Sequence, residues 1–519
     1  MKAPTLALLV LLLLAMIFQP GCKSESEKDP LAEFLKAEAR RFEQDPETVG
    51  FEYLDDAYQQ LSFLQEYNHI WALAELSSDE AVEVPTGLDW DNQGVWKEIN
   101  QHTWGPGHLA ILEVWSALMA GQSAILEARQ VFTLAEHSPE VDAIIAEMES
   151  LQSLFNYYLI DLFGQAPARD EAGDPVVYTR EAAFNRTLAQ LTAVLDELPE
   201  KSRFSDSRAL FRMNKGAAKA LLARLYLNQK EYTGNGANET EAMNTAVQLC
   251  DEILNSGQYA LEPDYWDNFR VDNWMNTAPS NELILTAWNG PEGGFTNTFA
   301  TLALNAVHFE NGGGWNGFAT LADFYNKWDP DDPRFLGPRI DAVNAYYGFN
   351  EGYQFDANGD TLRLPNGSPL QYIPEVNFQE DNPAAGVRPL KYEPDNISVN
   401  LFRGSANLYA IIRLAEVYLM KAEAQFRLGQ PSEARATLNT LREARGATPL
   451  LSISEDDLLN EYGYELWWEG QRRTHLIRFG RFNDPISIRP VGSGPYRKLF
   501  PIPQEALDAN PLLKQNGGY

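Results

Sequence analysis

Five tryptophans carry the residue types and spacing that could do chemistry in this sequence. Three lie in 77–104, SSDEAVEVPTGLDWDNQGVWKEINQHTW, and two lie in 286–318. A neutral sugar presents C–H faces and hydroxyl edges. Its recognition calls for exposed aromatic planes beside carboxylate and carboxamide groups. The first segment offers Asp79, Asp89, Trp90, Asn92 and Trp96, and the second offers Trp288, Phe309, Asn311 and Trp315. Trp315 stands in GGGWNG, where flanking glycines leave little side chain to bury it. Trp90 and Trp315 are therefore the expected stacking platform, with Asp89, Asn92 and Asn311 bonding hydroxyls. Trp96 reads equally as a core residue beneath the helix that follows. Trp288, at the end of the apolar run LILTA, reads equally as a strand-end core residue. Trp104 is expected in the core.

Other chemistries find little support. GGGWNG matches G-x-G-x-x-G through Gly312, Gly314 and Gly317, but no strand–helix–strand pattern surrounds it, so it reads as a loop. There is no H-E-x-x-H, no P-loop and no G-x-S-x-G. His102 and His108 flank a Gly-Pro-Gly break, and two histidines alone do not make a zinc site. Asp356, Asn358 and Asp360 in DANGD open like a calcium loop. They lack its glycine and closing glutamate, which favours a hairpin turn. With 73 acids, carboxylate pairs at glycosidase spacing arise by chance and prove nothing. The expectation is no catalytic residue, no metal and no cofactor.

The 41 Lys and Arg against 73 Asp and Glu give 519 residues a net charge of −32. That charge excludes a nucleic-acid binder, which needs clustered cations to neutralise phosphate. It also disfavours uronate or sulfated glycans, whose own charge the surface field would repel. Apolar residues make up 44%, which indicates a globular chain, and aromatics make up 12%. There are two cysteines, Cys22 and Cys250, so at most one disulfide. Lys2 and the apolar run 6–18 form an export signal too short to span a bilayer well. Gln19-Pro20-Gly21-Cys22 follows and resembles a bacterial lipobox, in which the cysteine becomes the acylated N-terminus. The other reading is an ordinary cleaved signal with an incidental cysteine. No other segment holds 18 uninterrupted apolar residues.

Helical elements must position the aromatic segments. Residues 408–428 place Leu408, Ile411, Ile412, Ala415, Leu419, Ala422 and Phe426 on one helical face. Gly429 ends that run, and Pro431 with Ser432 opens a partner that reaches Gly446. Residues 216–232 and 242–254 repeat the pattern, and 108–128 and 140–163 are also expected as helices. Such hairpins resemble tetratricopeptide units, which bury their apolar faces only by stacking. Between 261 and 404 the helical period fades into Gly, Pro, Asn, Asp and aromatics, an irregular lobe of the kind that carries binding residues.

The C-terminal 499–519, LFPIPQEALDANPLLKQNGGY, resembles the closing signature of the SusD/RagB family, through Pro501-Ile502-Pro503, Glu505, Asn510-Pro511, Gln515-Asn516 and Gly518-Tyr519. Upstream, EYGYELWWEGQRRTHLIRFGRF looks like that family's Glu-rich helix, then Glu-Gly-x-Arg and an Arg-bearing strand, through Glu465, Glu469, Gly470, Arg472 and Arg478. Tyr462 and His475 stand where Arg and Asp are common. The match extends to LARLYL at 222–227, FGQAP at 163–167 and the lipobox. The resemblance implies a mainly α fold, a tetratricopeptide-like hairpin scaffold with a large irregular loop-rich lobe. It divides the chain into a signal peptide 1–21, an acylated tether 22–30 and one domain 31–519. Within that domain, 31–260 and 405–480 form the scaffold, 261–404 the lobe and 481–519 the closing segment. It further implies an outer-membrane lipoprotein, anchored through Cys22 and facing the cell exterior of a Bacteroidota-like bacterium. Such a protein captures oligo- or polysaccharide and delivers it to a TonB-dependent SusC-like transporter. A peptide- or other nutrient-binding role is the alternative within the family, and a secreted glycosidase the alternative outside it.

Overall fold

The computed structural model describes residues 29–519, apart from 88–89, 171, 205–207, 237, 276–280, 288–296, 311–312 and 396–404. Asp89, Trp288, Asn311 and Cys22 therefore lie outside the described residues. Helices dominate: α1 Pro30–Gln44, α2 Pro46–Leu64, α3 Val95–Gln101, α4 Leu109–Phe132, α5 Pro139–Leu162, α6 Arg180–Ala193, α7 Lys215–Thr233 and α8 Glu239–Leu254. After a long irregular stretch come α9 Leu414–Arg427, α10 Pro431–Ala444, α11 Glu455–Leu466 and α12 Arg472–Arg478. Several begin with the same device. Asp29, Asp45 and Ser138 each cap a first-turn amide, and each precedes a proline whose missing N–H costs the helix nothing.

The long helices stack in chain order. α2 packs on α4, α4 on α5, α5 on α6, α6 on α7, α7 on α8, α8 on α9, and α9 on α10. Small residues let the axes approach: Ala217, Ala218, Ala220 and Ala223 of α7 are buried, as are Ala415, Ala422 and Ala424 of α9. Gly121 of α4 sits where a Cβ would lie 2.4 Å from the Phe155 ring of α5, so that contact requires glycine. The chain is thus a mainly α, tetratricopeptide-like row of hairpins, as expected.

Short strands run between the scaffold helices and through the lobe: β1 Ala81–Glu83, β2 Gln165–Arg169, β3 Pro175–Thr179, β4 Leu283–Thr286, β5 Phe318–Thr320, β6 Leu336–Ile340, β7 Ala345–Asn350, β8 Gly352–Tyr353, β9 Gln371–Tyr372, β10 Arg388–Leu390 and β11 Ala410–Arg413. β1 pairs with β5, and Thr320 bridges Val387 just before β10. β10 pairs with β7, and β7 with β6. One ladder therefore runs across the lobe from β1 to β6. Two expectations need correction. The helix expected over 408–428 starts only at Leu414, because 410–413 is a buried strand paired with β4. A wholly buried strand has no period of two, so its apolar run imitates a helix face. The expected Arg-bearing strand around Arg478 is the helix α12.

Buried charge fastens lobe to scaffold. Glu465 accepts from Arg413 at 2.6 Å, Arg445 at 2.8 Å and, through its other oxygen, Arg334 of the lobe at 2.8 Å. Arg413 also reaches Glu282 at 2.7 Å and Glu469 at 2.8 Å, and Lys391 meets Glu469 at 2.6 Å. Burial alone would raise the Glu465 carboxyl, but Arg445, Arg413 and Arg334 hold it well below the usual carboxylate range. The signature residues Glu465, Glu469 and Arg478 are thus structural fasteners. Arg478 pairs with Glu423 of α9 at 2.7 Å.

Candidate functional site: an aromatic cluster at the head of the lobe

Trp90 and Trp315 come together, with ring centroids 5.6 Å apart. A third ring, Tyr67, lies 5.8 Å from Trp90 and 5.4 Å from Trp315. All three are half-buried. Fully buried Phe318 of β5 supports them, meeting Trp90 at 5.6 Å, Trp96 at 5.5 Å and Trp71 at 5.4 Å.

Strained backbone sets the two tryptophans. Trp90 has φ of 67°, Asn92 of 45° and Gln93 of 62°, before Gly94 at 83°. A left-handed tryptophan is an outlier that persists only where its surroundings over-determine it, and such positions cluster at ligand sites. Trp90 is over-determined because it packs on Gly317, where a Cβ would lie 2.4 Å from its indole. The other loop is pinned by amides. Trp315 N–H donates to Thr301 O at 2.9 Å, Asn316 N–H to Leu304 O at 3.0 Å and Gly317 N–H to Leu302 O at 2.9 Å. Gly314 passes so close to Leu304 O that a Cβ would lie 2.4 Å from it. Gly314 and Gly317 of the formal G-x-G-x-x-G match therefore serve close packing around tryptophan.

The polar rim is mainly acidic. Asn92 and Gln93 are exposed, and Asp91 is half-buried. Burial raises the Tyr67 phenol, and the nearby Glu66 and Glu113 carboxylates raise it further. Lys97, the nearby cation, lies 5.3 Å from the Phe378 ring and donates to its carbonyl at 3.4 Å. Hydroxyl donors suit such a rim and anions do not.

Three expected site residues are placed elsewhere. Asp79 is buried, bound by Arg472 at 2.8 and 3.0 Å and by Lys327 at 2.8 Å. Burial alone would raise its carboxyl, but Arg472 and Lys327 outweigh that and hold it well below the ordinary range. Trp96 is 4% exposed and forms the floor under Phe318, which settles its open reading in favour of core. Phe309 is buried against Gly314, whose Cβ would lie 2.6 Å from its ring, so it supports the Trp315 loop from within. Trp104 is buried as well, its Nε1–H donating to Tyr519 Oη at 2.7 Å. Tyr67 was not anticipated. It sits in the turn after α2, and the loss of helical period there was the one available signal.

Asp79 belongs to a clasp between 75–80 and 467–472. Glu80 accepts the Trp468 N–H at 2.5 Å and Glu75 the Gln471 N–H at 3.0 Å. Both carboxyls are raised, first by burial, and Glu80 next by Glu75. The histidines are structural too: His102 bonds Ser493 and the Ser77 carbonyl, and His108 the Val95 carbonyl. Asp356 Oδ1 accepts the amides of Asn358 and Asp360, both at 2.9 Å, so DANGD is a hairpin turn. No group of three or more metal-ligating side chains occurs among the described residues. A small polar cavity of about 30 Å³ among Tyr157, Tyr158, Arg224, Glu416 and His475 has room for ordered water.

The row of helical hairpins with its loop-rich lobe is a fold shared with solved structures. Surface glycan-binding protein A from Bacteroides thetaiotaomicron, in complex with laminarihexaose, superposes with a TM-score of 0.69 at 19% identity, covering 91% of this chain and 99% of its own. Surface glycan-binding protein A from Bacteroides uniformis superposes at 0.70 with 19% identity, covering 90% and 98%. In sequence, the starch-binding protein SusD of Bacteroides thetaiotaomicron is 26% identical over 411 residues, 72% of each chain. The SusD family model matches residues 251–519, just over half of the chain. The chain belongs to the SusD family.

Proposed function

We propose that this protein captures a neutral oligo- or polysaccharide on the Tyr67–Trp90–Trp315 cluster and delivers it to a TonB-dependent outer-membrane transporter. It acts from the cell surface, anchored through Cys22, and does no chemistry on the sugar. The observation that carries this reading is three contacting, half-buried aromatic rings with an acidic, carboxamide-bearing rim. Stacked rings take the C–H faces, and Asp91, Asn92 and Gln93 take hydroxyls. Asp89 and Asn311 remain proposed partners. The names of the relatives support the ligand class, since one is starch-binding and one is complexed with laminarihexaose.

A glycan array that includes starch and laminarin tests the ligand class. Product analysis of the bound sugars tests the absence of catalysis. The site is tested by substitution. Truncating a central aromatic anchor typically costs about 2 kcal/mol or more, about thirtyfold in affinity. Trp315→Ala is expected to weaken glycan binding about tenfold or more, with a melting temperature lowered by no more than a few degrees. Trp104→Ala is expected to do the reverse. Normal binding by Trp315→Ala would place the site elsewhere.

A further inference from the structure

The lobe holds a second aromatic cleft, on the outer edge of the ladder that carries the first cluster. Leu336 of β6, Tyr346 of β7, Tyr353 of β8 and Phe355 just beyond it are between 41% and 53% exposed. All four line one open cleft of about 480 Å³, within the range of small-ligand sites. Four large apolar side chains exposed together are not a random scatter of surface residues.

The rings stand on fixed backbone. The Arg339 guanidinium stacks on Tyr346 at 5.4 Å, donates from Nε to Asp341 at 3.0 Å, and from Nη2 to the Phe355 carbonyl at 3.0 Å. It therefore ties β6 to the hairpin that presents Phe355. Gln354 N–H donates to Leu370 O at 3.0 Å, and Phe355 bridges Thr361. Asp356 then closes the turn described above. Rigid rings lose little entropy when a ligand stacks on them. The hydroxyls of Tyr346 and Tyr353 and Nη1 of Arg339 make no hydrogen bond among the described residues and so are available to a ligand.

The cleft is mechanically continuous with the first cluster. From β5, which carries Phe318, to β6 is three strand spacings, on the order of 15 Å at ~4.8 Å each. The Asn344 side chain, in the cleft wall, donates to His308 O at 3.4 Å, and the His308 ring bonds the Asn344 carbonyl at 3.2 Å. His308 lies in the segment whose carbonyls receive the Trp315 and Asn316 amides.

From this juxtaposition we infer that the cleft is a second carbohydrate subsite, built for polysaccharide and separate from the first cluster. The inference rests on the capture reading above. Rings on concave walls, mixed with hydroxyls and a guanidinium, match a sugar better than a flat protein interface. Two tethered subsites raise the retention of a long chain by effective concentration and do nothing for a ligand too short to reach both.

The test compares laminaritriose with laminarin, and maltotriose with starch, by calorimetry and affinity electrophoresis. The Tyr353→Ala/Phe355→Ala double variant is expected to lose about tenfold or more in polysaccharide affinity. Its trisaccharide affinity should match that of the unaltered protein, and so should its melting curve. Tyr346→Ala, read the same way, guards against local collapse of one hairpin. Trp315→Ala should weaken both ligands. Unchanged polysaccharide binding by both cleft variants overturns the inference and leaves the first site standing. Unchanged binding with loss of glycan uptake in cells also overturns it, and assigns the cleft to a protein partner. Normal binding by Trp315→Ala with a weakened double variant overturns the reading of the first site and keeps this one. Failure of the unaltered protein to bind any glycan of the array overturns both.

Discussion

At the scale of single residues, the aromatic cluster stands on a carboxyl that is reluctant to ionise. Glu83 of β1 pairs with Phe318 in the ladder and takes a hydrogen bond from the Lys97 amide. Burial, then Asp91, pushes its carboxyl up to about 8, with Lys97 opposing. The folded state thus holds this proton more tightly than the unfolded chain, where the ordinary value is 4.5. The stabilisation is complete below that value and is lost as pH rises through about 8. Glu83→Gln keeps the shape and removes the titration. Its melting temperature should exceed that of the unaltered protein at pH 8 and fall less steeply between about pH 5 and 8. An unchanged slope would count against a buried, protonated Glu83. Residue type and turn-rich context made Trp90 and Trp315 legible in the sequence. They could not separate Trp96 from them, because what covers that ring is β5, a strand more than two hundred residues away, nor Phe309, which is buried against the backbone of Gly314. Asp79 was misread for the same reason: its partner Arg472 is 393 residues away.

At the scale of elements, the helices were legible because amphipathic period, caps and prolines all agree locally. The short lobe strands were not, since strands of two to six residues carry little pattern of their own. The Glu-rich helix α11 was recognisable, but its purpose appears only in three dimensions. Glu465 there faces three arginines, none of them from its own helix. Removing one partner from a buried ion lattice leaves uncompensated charge and costs about 3–5 kcal/mol. Glu465→Ala should show that loss in urea unfolding. The exposed pair Arg481–Asp456, at 3.1 Å, is the control. Asp456→Ala should cost less than about 1 kcal/mol. A Glu465→Ala protein as stable as the control would refute the fastening role.

At the scale of the whole molecule, charge and anchoring bear on where the protein works. If Cys22 carries the acyl anchor, Cys22→Ser should move the protein from the membrane fraction to the soluble one, and retention after a salt wash would refute the anchor. The clasp between 75–80 and 467–472 bears on how the chain reaches its final form. The Trp468 amide meets Glu80 across 388 positions, Asp79 meets Arg472 across 393, and the Trp71 indole meets the Trp468 carbonyl across 397. Contacts of such sequence separation are closed against a large loop entropy, and chains rich in them fold slowly. Helical hairpins can form as soon as their own residues are available. The loop bearing Trp90 gains its Phe318 floor only when β1 meets β5, and the Glu75–Glu80 pair gains its partners only when 467–472 arrives. The aromatic cluster is therefore a late product of folding, and a chain stopped before β5 would hold its first helical hairpins without the Phe318 floor of the binding face.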